Sequence, residues 1–251
     1  MHLKKKIPLI ISIISTLFYF SALKAEIKVV TSIKPIHSLV SFIMQGVGSP
    51  DLIVDGYNSP HGFSLKPSHA KMLQEADIVI YVGEGLEEFL EKPLQSLSQN
   101  AVKFELLKQS GMKKLKFRER NIFEGHEDHD DHGHGKKKKD EHDDHGHDDH
   151  GHGHGEFDPH IWLDPMNAKI IVKKVTNQLS KLDKENSSTY KSNSKKALKE
   201  IDNLVKQVKS DINKDAKVVV FHDAYQYFEK RFDVNIIGAL TINTDVLPGA
   251  E

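Results

Sequence analysis

Sixteen of the 251 residues are histidine, and they are distributed very unevenly. Ten crowd into residues 124–155, a stretch made only of Asp, Glu, Lys, Gly and His. Three others stand singly on short, stiff segments. His61 lies in the turn Ser59-Pro60-His61-Gly62, and His160 sits between two Asp-Pro steps in Asp158-Pro159-His160-Ile161-Trp162-Leu163-Asp164-Pro165. His222 follows the apolar run 218–221 and precedes Asp223. Neutral imidazole is a good ligand for Zn²⁺, so three such rings brought together would form most of a tetrahedral site. A single loop histidine, however, is more often a surface or capping residue than a ligand. The residues alone leave open whether the three converge. The chain has no cysteine, which excludes disulfides, thiolate metal sites and an N-terminal lipidated cysteine.

The elements that must position these histidines alternate in type. The run 27–31 reads as a buried strand, followed by an amphipathic helix with Ile36, Leu39, Val40 and Ile43 on one face. A short strand at 52–54 precedes the His61 turn, Pro67 suits the first turn of a second helix, and 78–82 is an apolar β-branched run. This order predicts a parallel sheet covered by helices. Asp164 and Pro165 suit a helix start, with Ile170, Ile171, Val175 and Leu179 at helical spacing. A longer helix ends near Ile212, carrying the narrow stripe Tyr190, Ala197, Ile201, Leu204, Val208 and Ile212. A strand at 218–221, a helix with Tyr225, Phe228 and Phe232, and a strand at 234–240 close the pattern. In open α/β sheets ligands bind beyond the carboxyl ends of the strands, which is where His222 falls.

Composition narrows the class. Basic and acidic residues number 35 and 36, so no overall field favours nucleic acid. Residues 1–25 read as an export signal, with Lys4, Lys5 and Lys6 ahead of an apolar run too short for a comfortable membrane span. Residues 124–155 hold eleven acids, four lysines, seven glycines and ten histidines, and nothing apolar that could enter a core. They read as a disordered surface loop whose His-x-His steps suit weak metal sites. The expected organisation is a signal peptide at 1–25 and an N-terminal α/β lobe at 26–165 carrying the loop. Helices at 166–213 then lead to a C-terminal α/β lobe begun at 214–251 and incomplete.

The segments Ser59-Pro60-His61-Gly62-Phe63-Ser64-Leu65-Lys66-Pro67-Ser68, Asp158 to Pro165, and Phe221-His222-Asp223-Ala224-Tyr225 closely resemble motifs of the metal-specific substrate-binding proteins of ABC transporters. The histidine-rich insert resembles the zinc-specific branch of that family. The resemblance implies two parallel-sheet lobes joined by one long helix, with the metal in the cleft between them. It also implies that His61, His160 and His222 are the zinc ligands, completed by water or a carboxylate. Zn²⁺ is then a transported ligand rather than a cofactor, no reaction is catalysed, and the partners are a membrane permease and its ATPase. The protein so described is periplasmic and monomeric. Asp158, Asp164 and Asp223 are candidates either to hold the ligand imidazoles or to serve as caps and turn residues. His37 and His69 fall in helices and are assigned to the scaffold. A manganese or iron carrier of the same family is the alternative, and a zinc hydrolase is the rival from another class.

Overall fold

The computed structural model describes residues 26–83, 85–118 and 156–241; residues 1–25 and 124–155, read above as signal and loop, lie outside them. Four parallel strands, β1 (Val29–Ile33), β2 (Asp51–Val54), β3 (Ile78–Tyr81) and β4 (Val102–Glu105), form one sheet in the order β2-β1-β3-β4. The helices between them are α1 (Lys34–Met44), α2 (Pro67–Glu75) and α3 (Glu91–Ser96). β1 is buried along its whole length, as expected of a central strand of a parallel sheet. It lies two residues later than the run 27–31 read from sequence, starting at Val29 and continuing through the polar Ser32 to Ile33. Thr31 Oγ1 donates to Asp51 O at 2.9 Å, and Ser32 Oγ donates to the Glu87 carboxylate at 2.6 Å.

Two long helices follow, α4 (Pro165–Leu182) and α5 (Ser187–Asp211). They pair as a hairpin, and both pack on α1. The α4 face Ile171, Val172, Val175 and Leu179 is fully buried, as its spacing requires. Asn193 on α5 donates to Ile43 O at 3.1 Å and Gln45 O at 2.8 Å, satisfying carbonyls that the end of α1 leaves open. Beyond Ile201, α5 loses its cover and Leu204 is exposed. The helix's 25 residues span about 38 Å at 1.5 Å each. They lead to a second, separate parallel sheet of β5 (Lys217–His222) and β6 (Asn235–Thr241), connected by α6 (Gln226–Phe232).

Strand order reverses between β1 and β3, the place where doubly wound sheets commonly open a crevice for ligands. Here the Glu87 side chain fills it. Its carboxyl accepts from Ser32 Oγ at 2.6 Å, Val82 N at 3.1 Å and Gly83 N at 2.9 Å, and the residue is 1% exposed. Burial pushes its pKa up from 4.5 to about 7, against the pull of those three donors. Between these values the folded state keeps a proton that the unfolded chain has lost. The contribution is therefore full below pH 4.5 and is lost as pH rises through about 7. Glu87→Gln removes this dependence. The unfolding free energy of the natural protein relative to the variant is expected to fall by roughly 3 kcal/mol between pH 4.5 and 8. A constant difference by thermal or urea unfolding would contradict a protonated Glu87.

Candidate metal centre

Three elements far apart in sequence deliver the three single histidines to one place. His61 is carried by the loop from β2 to α2, where its N–H donates to Ser59 Oγ at 3.1 Å. Gly62 follows with φ +67°, a left-handed conformation that glycine adopts at little cost and that turns the chain directly after the histidine. His160 opens the short 3-10 turn Ile161–Leu163 before α4, and its ring packs 5.3 Å from that of Trp162. His222 is the last residue of β5, paired with Thr241, rather than the first residue after the strand.

One ring nitrogen from each histidine lies within 4.8 Å of the others. Nε2 of His160 and Nε2 of His222 stand 3.3 Å apart. Ring centroids are separated by 5.2 Å for His160 and His222, 5.9 Å for His61 and His160, and 6.1 Å for His61 and His222. Two nitrogens held 2.0–2.1 Å from a tetrahedral Zn²⁺ sit about 3.3 Å from each other. The group has no other His, Asp or Glu member among the described residues. It opens into a cavity of about 340 Å³ that Ile33, Lys34, Val54, Tyr57 and Trp162 also line, at the carboxyl ends of β1 and β2.

Burial holds His222 neutral, and a buried carboxylate aims His160. Burial, aided by His160 and His61, lowers the His222 pKa to about 4, while the charge of Asp158 opposes the shift. Asp158, 1% exposed, accepts from the His160 backbone N–H at 2.9 Å and from its Nδ1 at 2.7 Å. A carboxylate can only accept here, so Nδ1 carries the proton and Nε2 presents its lone pair.

Of the three aspartates weighed from sequence, Asp158 alone bonds an imidazole within the group. Asp164 caps α4 by accepting from Met166 N at 2.9 Å. It also receives a bidentate pair from Arg231, with Nε and Nη2 both at 2.7 Å. Asp223 pairs with Arg118 at 3.1 Å, and burial raises its pKa more than that guanidinium lowers it. His37 contacts Pro50 O at 3.0 Å, while His69 accepts from Lys66 N at 3.1 Å and packs on Phe63. Both lie outside the three-histidine group.

Sequence reasoning missed the α6 side of the site. Gln226 donates to Asp158 Oδ2 at 2.7 Å, Tyr227 OH donates to Asp158 O at 2.8 Å, and Arg231 holds Asp164. No spacing signal marks these residues, because each acts on a segment some 70 positions earlier.

Comparison with known proteins places this geometry in context. A family profile described as zinc-uptake complex component A, periplasmic (ZnuA) matches residues 29–251. The "High-affinity zinc uptake system protein ZnuA" of Brucella abortus is 43% identical over 236 residues, covering 88% of this chain and 70% of the relative. The protein of that name from Yersinia pestis is 32% identical over 233 residues, with 90% and 70% covered. Among solved structures, the AdcAII protein of Streptococcus pneumoniae shares the fold with a TM-score of 0.64 at 21% identity, covering 90% of this chain and 73% of that one. The chain belongs to the ZnuA family, the periplasmic component A of zinc-uptake complexes.

Proposed function

We propose that this protein captures Zn²⁺ in the periplasm through His61, His160 and His222 and delivers it to an ABC-type importer, a permease driven by its ATPase. The observation that carries the reading is the 3.3 Å separation of the His160 and His222 Nε2 atoms, with a ring nitrogen of His61 inside the same group. The relatives' names, high-affinity zinc uptake system proteins, support zinc as the cargo. Imidazole nitrogen suits Zn²⁺ better than Mn²⁺, which prefers carboxylate and water oxygen. A zinc hydrolase would need a general acid or base facing the metal-bound water. Asp158, the carboxylate bonded to the group, faces Nδ1, the side of His160 turned away from His222. The protein is therefore read as a carrier rather than an enzyme. No helix among the described residues is long and apolar enough to cross a membrane.

Capture and release follow from where the ligands are mounted. His61 and His160 belong to the body built on the four-stranded sheet and α4, whereas His222 ends β5 of the separate two-stranded sheet. A permease that shifts β5 relative to that body would withdraw one ligand of three and loosen the ion without any chemical step.

Residues 124–155 lie outside the described residues, so their role is read from composition. They supply weak, exchanging zinc sites that raise the local metal concentration near the cleft. Zinc calorimetry is expected to show one tight event followed by several weaker ones. Deleting 124–155 should remove only the weaker ones. Loss of the tight event on deletion would place the principal site in the insert.

A further inference from the structure

We infer that Gln226 is a positioning residue for zinc capture, fixing the Asp158 carboxylate that aims His160 at the ion. The inference rests on the ligand assignment proposed above and goes beyond it to a residue on a different element. Gln226, 3% exposed at the start of α6, places its amide nitrogen 3.0 Å from Lys116 O and 2.7 Å from Asp158 Oδ2. Both partners are acceptors, so the orientation of the amide is determined and both of its protons are used. The two oxygens of Asp158 divide their work. Oδ1 takes the His160 N–H and Nδ1, and Oδ2 takes Gln226. Without Gln226 the buried carboxylate loses the side-chain donor to its Oδ2, leaving its Oδ1 bonds to His160 to restrain its rotation and the ring.

The placement has a second consequence. Gln226, the first residue of α6, stands four positions after His222, the last residue of β5. One amide thus registers the unit that carries His222 against the segment that carries His160. Tyr227 assists from the same helix by a different route, donating to Asp158 O and accepting from Leu115 N at 2.9 Å. Both of its hydrogen bonds go to backbone atoms, so neither orients the carboxylate.

The test uses the full chain. In the zinc-free natural protein, imidazole ¹⁵N NMR should show His160 with its proton on Nδ1; a proton on Nε2 would overturn the inference without any variant. Gln226→Leu should scramble that tautomer signature and weaken zinc binding by about 10–100-fold. Tyr227→Phe, which keeps the Gln226–Asp158 bond, should lower thermal stability while leaving the His160 signature in place. A merely structural Gln226 would instead behave as Tyr227 does, with Gln226→Leu losing stability but keeping the tautomer and zinc affinity within threefold. If His160→Ala abolishes tight binding while Gln226→Leu does not change it, the positioning role fails and the ligand assignment stands. If neither changes it, both fall.

Discussion

Replacing His160 with alanine is expected to weaken zinc binding by about 10²–10³-fold, as is replacing His61 or His222. Structural zinc sites bind with about 10–16 kcal/mol over four ligands, so one ligand is worth about 3–4 kcal/mol. His160 carries the strongest version of this expectation. Its ring is already buried, its Nδ1 is tied to Asp158 at 2.7 Å, and its Nε2 lies 3.3 Å from that of His222. The ion therefore spends little on ordering the ring, and alanine loses the full value of the bond. Calorimetry on protein lacking residues 124–155 avoids interference from the histidines there. An affinity for His160→Ala within threefold of the natural protein would remove this residue from the site.

Acidification should also release zinc, but less steeply than three free imidazoles would. Each ligand must be unprotonated to bind, and unperturbed imidazole titrates near pH 6.5. Three such groups would give a slope approaching three protons per metal. His222 departs from that pattern, because burial and its two neighbouring rings hold its pKa at about 4. Protons therefore begin to compete for that ligand only as pH nears 4, and between pH 6 and 5 the slope should not exceed two protons per zinc. The same shift acts on folding of the zinc-free protein. Below about pH 6.5 the unfolded chain protonates this histidine while the folded state does not, so the contribution of His222 to stability falls as pH drops from 6.5 toward 4. A slope near three would show that the ring is as wet as a free imidazole. A flat profile from pH 7 to 5 would point to carboxylate ligands.

The sequence revealed the site's residues more clearly than its construction. His61, His160 and His222 stood out because proline, glycine or a strand end pins each of them, and pinned backbone is what a ligand requires. Their convergence was not legible, since no periodicity links positions 61, 160 and 222. The α/β alternation, the long α5 and the α4 cap at Asp164 were readable from apolar spacing and from the Asp-Pro step. β4 was not foreseen, because four residues alternating Val102, Lys103, Phe104 and Glu105 give too short a pattern to separate from loop. β1 runs two residues past the expected end at Thr31 because Ser32, whose buried hydroxyl is bonded to Glu87, looks like a strand's end in sequence. The α6 contacts were invisible for a related reason. Gln226 reads as an ordinary polar helix residue until the fold brings Asp158 to it.

The central claim is that one ion is held by three imidazoles drawn from three separate segments. X-ray absorption at the zinc edge tests it most directly, on protein lacking residues 124–155 and loaded with one equivalent of metal. The account predicts a four-coordinate zinc with three imidazole nitrogens at about 2.0–2.1 Å. A shell dominated by oxygen, with one imidazole or none, would contradict it.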